Sequence, residues 1–173
     1  MKDTFKISIS PEEIEVLPLG AFPGKIQVID NCGFKFMKAV NYLKQQKILG
    51  FDTETRPCFE HRQAHHGVAL LQLSGADRAY LFRVQKTGLK KGLRDVLSNP
   101  DIIKVGAASH DDVRALQKLS HFEEKGFVDL QKIVWEWGIK DKSVKKMSAI
   151  ILGKRISKTQ QLSNWEAPTL TAA

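Results

Sequence analysis

The stretch from Ile48 to Phe59 reads ILGFDTETRPCF, so an apolar run leads directly into two carboxylates, Asp52 and Glu54. Successive side chains of a strand alternate between its two faces, and a strand here would therefore project both carboxylates from one face. Two carboxylates on one face repel each other, and a hard divalent cation such as Mg²⁺ or Mn²⁺ relieves that repulsion. The alternative is an ordinary strand end, whose acids are solvated or paired with Arg56.

A second acidic site follows another apolar run, in the stretch IIKVGAASHDDVRAL that begins at Ile102. Ser109, Asp111 and Asp112 suit a helix N-terminus, where they would cap free N–H groups, and capping alone is one explanation of them. The other explanation takes both acidic sites together. If the two strands are parallel neighbours, their carboxylates converge at one sheet edge, which is the arrangement that binds two divalent ions and cleaves a phosphodiester.

The hydrophobic pattern predicts the elements that must position these acids. Strands are expected at 25–30, 47–54, 67–75, 78–84 and 102–109, and helices at 34–46, 87–100, 110–120 and 143–153. Asn31 is expected to cap the first of these helices. The order predicts an α/β domain with a mixed five-stranded sheet, an antiparallel three-stranded meander and helices on both faces. Residues 1–24 are expected to be an N-terminal extension of a domain at 25–173.

Composition narrows the class of protein. The 173 residues suffice for one hydrophobic core, and the net charge of +8 favours a polyanionic partner, nucleic acid above all. No apolar run reaches the length of a membrane span, and the N-terminus lacks a secretory signal. The two cysteines, Cys32 and Cys58, form no metal-binding motif and are expected to be reduced thiols. We therefore expect an intracellular protein, cytoplasmic or nuclear, that is not bound to a membrane.

Taken jointly, the motifs resemble the 3′–5′ exonuclease domains of the RNase D and Werner-syndrome exonuclease type, which have a ribonuclease H-like fold. GFDTETRP with VALLQLS and AYLF is similar to that family's first motif and the two strands after it. IIKVGAASHDDVRAL is similar to the second motif, and FVDLQKIV with KKMSAIILGKRISKTQQLSNW is similar to the lead-in to the third. The resemblance runs from about Gln27 to the C-terminus.

The resemblance implies a metal-dependent exonuclease that acts on DNA or RNA, at single strands or 3′ ends, and releases nucleoside monophosphates. Asp52 and Glu54 match the first-motif ligands of two Mg²⁺ or Mn²⁺ ions. Asp112, eight residues after Lys104, matches the second-motif ligand, which leaves Asp111 as a cap or a supporting acid. Asp129 matches a structural VDL element of the family.

The family's third motif, a Tyr followed four residues later by an Asp, does not occur in the sequence. The two tyrosines, Tyr42 and Tyr80, are followed at that spacing by Gln46 and Val84. We therefore expect weak or no activity from this chain alone, and the abrupt stop favours truncation over degeneration. Two alternatives remain open: a non-catalytic module that binds nucleic acid or a protein partner, and a phosphatase of the haloacid dehalogenase type, whose signature requires Asp at the position of Glu54.

Further residues are candidates for substrate contacts. Arg56 and His110 flank the acids, and Lys145 and Lys146 belong to a basic stretch that contacts a nucleic-acid backbone or is simply a solvated helix face. Trp165 is a candidate for stacking on bases. The polar loop with His65 and His66 is expected to be solvated rather than metal-binding. Trp135 and Trp137, in IVWEWG, are expected to belong to an apolar core or a satellite of it.

Overall fold

The architecture is a six-stranded mixed sheet in a computed structural model, which describes residues 5–55, 67–157 and 165–167. The strands lie in the order β1-β4-β3-β2-β5-β6, where β2 and β3, and β3 and β4, pair antiparallel and the other neighbours pair parallel. Their bounds are β1 Lys25–Ile29, β2 Ile48–Thr55, β3 Val68–Ser74, β4 Arg78–Arg83, β5 Ile103–Gly106 and β6 Phe127–Asp129.

The structure confirms the α/β class and the antiparallel meander, with two corrections of detail. The sheet has six strands and not five, because Phe127–Asp129 pairs with β5 before the chain turns helical. The first long helix begins after Gly33 and not after Asn31, whose side chain instead accepts a hydrogen bond from the Gly33 N–H at 3.0 Å. The predicted hairpin turn after β3 is present, and the Gly75 N–H donates to the Arg78 carbonyl at 2.9 Å.

The helices are short and surround the sheet. They are α1 Pro11–Glu15, α2 Phe34–Lys44, α3 Val84–Thr87, α4 Lys91–Leu97, α5 Ser109–Leu119, α6 Leu130–Ile133 and α7 Val144–Leu152, with a 3₁₀ helix at Val134–Trp137 directly after α6. Within the residues that the structure describes, none of these helices is long and apolar enough to cross a membrane.

One sheet face is closed by α2, α4 and α5, which share the main hydrophobic core with it. Aromatic pairs tie these layers together: the rings of Phe36 and Phe82 are 5.7 Å apart, and those of Phe51 and Phe127 are 5.1 Å apart, both edge to face. Edge-to-face pairs of this kind add to the free energy of burial. This face holds β2 and the start of α5 in fixed positions.

The opposite face is only partly covered. Residues of α6, α7 and the 3₁₀ helix form a smaller cluster there, centred on Val134, Ile139 and Met147, and α1 packs on α7 through Ile14 and Ala149. Leu130 and Val144 line a cavity of about 450 Å³ over this face, together with residues of five strands, β1 to β5. Helices therefore lie on both faces, as the sequence predicts, and part of the second face stays accessible beside β2.

Candidate active site

The end of β2 presents two carboxyl groups on the accessible face of the sheet. Asp52 pairs with Gln72 of β3 and Glu54 pairs with Leu70, so both side chains leave β2 in the same direction. The Gln72 side-chain amide lies 3.5 Å from Glu54 Oε1. Thr53 between them points to the opposite face and is buried, 9% exposed. The alternation that the sequence predicts is therefore present.

The third carboxyl group, that of Asp112, reaches the same edge from the first turn of α5. The buried Thr53 connects it to β2: the Thr53 hydroxyl donates a short hydrogen bond to Asp112 Oδ1, and the Thr53 N–H donates to Asp52 Oδ1 at 3.0 Å. One residue thus orients a carboxylate on each side of the strand. The structure brings Asp52, Glu54 and Asp112 together, as the two acidic motifs suggested.

Burial and mutual repulsion raise the pKa values of all three carboxyl groups. For Glu54, desolvation and the neighbouring charges of Asp52 and Asp112 raise the pKa to about 7. The Asp52 side chain reaches solvent at the rim of the cavity, yet the sheet beneath it desolvates the carboxyl and raises its pKa, and Asp112 adds to the effect. Desolvation raises the pKa of Asp112 too; the Thr53 hydroxyl opposes this, and the charge of the neighbouring Asp111 adds to it. A positive charge placed here would stabilise the ionised forms.

The donor set suits a hard divalent cation, because all three side chains offer carboxylate oxygens. Among the described residues, no group of three or more His, Cys, Asp or Glu side chains is already arranged around a single metal position. The fit therefore rests on donor chemistry and on electrostatics. The three carboxylates repel one another, and a divalent ion bound among them would attract all three.

A tight turn between β5 and α5 places Asp112. Ala108, the residue before the helix, has a left-handed backbone with φ of 56°, which is unfavourable for a residue with a side chain. Asp129, at the end of β6, holds this turn: its Oδ1 accepts the N–H of Ala108 and the N–H of Gln131, each at 3.0 Å. Asp111 makes no cap here, because Ala108 is the capping residue and no side chain bonds to the helix start.

Comparison with known proteins assigns this chain to one family. A family model described as 3′–5′ exonuclease matches residues 27–173. The chain belongs to this 3′–5′ exonuclease family. Exonuclease 3′–5′ domain-containing protein 2 of Drosophila melanogaster is 35% identical to it over 137 residues, which are 75% of this chain and 22% of that protein. The exonuclease chain thus spans about a fifth of the length of the curated relatives that it matches.

Solved structures confirm the ribonuclease H-like fold of the exonuclease chain. The EXO domain of Aedes aegypti Nibbler superimposes with a TM-score of 0.71 at 23% identity, over 90% of this chain and 80% of that one. Trypanosoma brucei RNase D, in a complex with RNA U12, superimposes with a TM-score of 0.69 at 21% identity, over 87% of this chain and 56% of that one. At these identities the similarity establishes the fold.

The cavity of about 450 Å³ opens directly beside Asp52. Its walls are largely apolar, and Phe22, Leu81, Leu130 and Val144 are among the residues that line it. Gly106, where β5 ends, allows β5 to approach β2 closely, since a Cβ there would lie 2.9 Å from the Phe51 carbonyl oxygen. The cavity gives a flat apolar group a place to lie next to the carboxylates.

The other predicted substrate contacts lie at different distances from this edge. His110 is exposed beside Asp112 in the first turn of α5. Lys145 and Lys146 both pair with acids, since Lys145 Nζ lies 3.3 Å from Glu15 and Lys146 Nζ lies 2.8 Å from Asp141. Arg56, like His65 and His66, lies outside the described residues.

Trp165 is half-buried, and its segment, through Ala167, contacts the row of paired strand residues that contains Glu54. The Arg83 guanidinium donates to the carbonyl of Ala167, two residues from Trp165. Arg83 pairs with Leu70, which in turn pairs with Glu54, so Arg83 and Glu54 are two strands, or about 10 Å, apart on one face. The structure therefore brings the Trp165 segment towards the carboxylates, whereas Lys145 and Lys146 are engaged elsewhere.

The sequence predicted a structural role for Asp129, by its match to the VDL element, and the structure agrees. What sequence reasoning did not identify is its target: Asp129 positions the turn that carries Asp112. The sequence did contain a clue to this contact. The short apolar stretch of β6 ends in Asp129 and continues into a helix, just as β2 and β5 end near acidic residues.

Proposed function

We propose that this chain is a divalent-metal-dependent 3′–5′ exonuclease domain that shortens DNA or RNA from the 3′ end and releases nucleoside monophosphates. The observation that carries the proposal is the convergence of Asp52, Glu54 and Asp112 at one sheet edge, with their pKa values raised by burial and repulsion. Membership of the 3′–5′ exonuclease family supports it.

Asp52, Glu54 and Asp112 are the residues that would hold two Mg²⁺ or Mn²⁺ ions. When bound, such ions lower the pKa of an attacking water and stabilise the charge that develops on the phosphate. The carboxylates would position the ions, and Thr53 fixes the orientation of two of them: its N–H donates to Asp52 and its hydroxyl donates to Asp112. In the reaction, water oxygen bonds to the terminal phosphorus, the bond to the preceding 3′ oxygen breaks, and that oxygen takes up a proton.

Nucleic acid is the proposed substrate class. The net charge of +8 favours a polyanion, and the similar fold of T. brucei RNase D is known in a complex with RNA U12. His110 lies beside Asp112 and is proposed to contact a phosphate, whereas Lys145 and Lys146 would have to leave Glu15 and Asp141 to do so. The proposal does not choose between RNA and DNA.

A second candidate function is a nucleic-acid-binding module with weak or no catalysis. The observation in its favour is that the Tyr-to-Asp spacing of the family's third motif does not occur after Tyr42 or Tyr80, the two tyrosines of the sequence. Loss of a positioned group that orients the attacking water typically costs about 10²–10⁴ in rate. We propose accordingly that the activity of these 173 residues by themselves is weak.

The test uses 5′-labelled single-stranded DNA and RNA oligonucleotides with Mn²⁺, and compares the native chain with Asp52→Asn. Asp111→Asn is the matched control, because it removes an exposed carboxylate that neighbours Asp112 in the sequence and is not one of the three proposed metal ligands. The proposal predicts a ladder that shortens from the 3′ end, is lost in Asp52→Asn and is retained in Asp111→Asn. Digestion that survives in Asp52→Asn would refute the assignment of the site. Binding without any digestion would favour the second candidate.

A further inference from the structure

Two tryptophans stand exposed on the 3₁₀ helix that follows α6. Trp135 is 65% exposed and Trp137 is 50% exposed. The sequence predicts an apolar core or satellite position for both, and the structure contradicts this for their rings. The neighbours that do enter the core are Val134 and Ile139, which are 3% and 1% exposed. Large aromatic side chains held outside a core frequently serve as binding surfaces.

The ring of Trp135 is hydrogen-bonded to the preceding helix, α6. Its indole N–H donates to the carbonyl of Lys132 at 2.7 Å, so the polar group of the ring is satisfied although the side chain is 65% exposed. The Trp137 ring meets Phe5 edge to face at 6.3 Å. Val134 and Ile139 anchor the segment, and the Ile139 N–H donates to the Val134 carbonyl at 3.3 Å. Fixed rings lose little conformational entropy when a ligand binds.

The charge around these rings is mainly positive. Lys132, Lys140 and Lys142 are exposed, and none of them forms an ion pair within residues 5–55, 67–157 and 165–167. Glu136, between the two tryptophans, is the one acid in this stretch of the chain before Asp141. Lysines beside exposed aromatic faces form the combination that binds single-stranded nucleic acid, through phosphate contacts and base stacking.

The segment also begins at the catalytic edge. Asp129 Oδ1, which holds the turn before α5, binds the N–H of Gln131 at the start of α6 as well. Leu130 lines the same cavity as Asp52. From there, one short α-helix and the beginning of the 3₁₀ helix carry the chain about 10 Å to Trp135. A strand whose 3′ end lies at the carboxylates can reach the rings within a few nucleotides.

We propose that Trp135 and Trp137, with Lys132 and Lys140, form a stacking platform for single-stranded nucleic acid on the 5′ side of the nucleotide to be removed. The inference rests on the proposed function for the position of the 3′ end, but binding to the platform does not require catalysis. Unpaired bases stack on the ring faces, while the lysines contact the backbone phosphates. A double helix cannot use the rings in this way because its bases are already stacked on each other.

The experiment measures the affinity of the full chain for a 5′-fluorescein 12-mer of dT or rU by anisotropy in EDTA, and digestion of the same oligonucleotides with Mn²⁺. A blunt duplex of equal length is the comparison. The variants are Trp135→Ala, Trp135→Phe and, as control, Leu152→Ala, which removes an apolar side chain that is 68% exposed on α7. Loss of one base–aromatic stack is expected to weaken binding about tenfold.

The inference predicts that Trp135→Ala weakens single-strand binding about tenfold, that Trp135→Phe keeps most of it, and that Leu152→Ala and the duplex affinities do not change. Equal single-strand affinities of Trp135→Ala and the native chain, equal losses for duplex and single strand, or no binding by the native chain would each overturn it. If the native chain digests oligonucleotides and Trp135→Ala is unimpaired, the inference fails and the proposed function stands. If binding depends on Trp135 but nothing is digested, the proposed function fails and the inference stands.

Discussion

Replacement of Lys104 by Met should change how the stability of the protein depends on pH. Lys104 is fully buried in β5, where its Nζ donates to the carbonyls of Asn99 and Ile102 at 2.8 and 2.7 Å and lies 5.1 Å from the centroid of the Phe127 ring. Burial lowers the pKa of Lys104 from its ordinary value of 10.5 to about 8. Burial therefore destabilises the charged ammonium form of Lys104 relative to the neutral amine in the folded protein.

The magnitude follows from the two pKa values. Each pKa unit corresponds to 1.36 kcal/mol, so the fall from 10.5 to about 8 amounts to about 3 kcal/mol. Below pH 8 both folded and unfolded chains bind the proton, and the whole cost of burying the charge is present. Between pH 8 and 10.5 the folded chain loses the proton first, so the unfolded state binds more protons and stability rises with pH.

The assay is urea unfolding of the native chain and Lys104→Met in steps from pH 7 to pH 10. The native chain should gain about 2–3 kcal/mol relative to the variant by pH 10, whatever the difference at pH 7, because the other titrating groups affect both proteins alike. Lys118→Met, at an exposed position of α5, is the control for loss of a lysine. Parallel curves for the native chain and Lys104→Met would refute the reasoning. If the native chain instead loses stability relative to the variant as the pH rises, the two carbonyls and the Phe127 ring stabilise the charged form of Lys104 by more than burial destabilises it.

Three further substitutions test the turn and the bridge that position Asp112. Ala108→Gly relieves a left-handed backbone, which is worth about 1–2 kcal/mol, but makes the unfolded chain more flexible, so urea unfolding should show a change of less than about 1 kcal/mol. Asp129→Ala leaves two backbone N–H groups without their acceptor and should destabilise the protein by about 1–3 kcal/mol; an unchanged unfolding midpoint would contradict this. Thr53→Val removes the hydroxyl that donates to Asp112, so the Mn²⁺-induced rise in melting temperature should require about tenfold more Mn²⁺ than for the native chain, and an equal requirement would argue against the bridge.

Local sequence patterns predicted most of the elements that position the site. The alternation of Phe51, Asp52, Thr53 and Glu54 was sufficient to place both carboxylates on one face. The choice of Asp112 over Asp111 needed the family resemblance, because local pattern alone left both as possible helix caps. Strand β6 was not counted as a strand because three residues are too few for a periodic signal. Its existence depends on the partner strand β5, which no local pattern reveals.

The exposed tryptophans could not be predicted for a different reason. Trp135 and Trp137 alternate with Val134 and Glu136, and apolar residues in such a stretch are normally placed in the core. The 3₁₀ helix instead buries Val134 and turns the indole rings outward, and this depends on the bond from the Trp135 ring to the Lys132 carbonyl. Which residue of an apolar cluster is buried is decided by the helix type and by the neighbouring elements.

The single carboxylate of Asp129 has a mechanical consequence for the whole edge of the sheet. Because one oxygen holds the N–H groups before α5 and at the start of α6, the two helices cannot drift independently. A disturbance that shifts α5, and Asp112 with it, is transmitted to the segment that carries Trp135. If the chain binds a strand as proposed, the distance between the reacting end and the next bases depends on this one carboxylate, which serves as a common reference point for both helices.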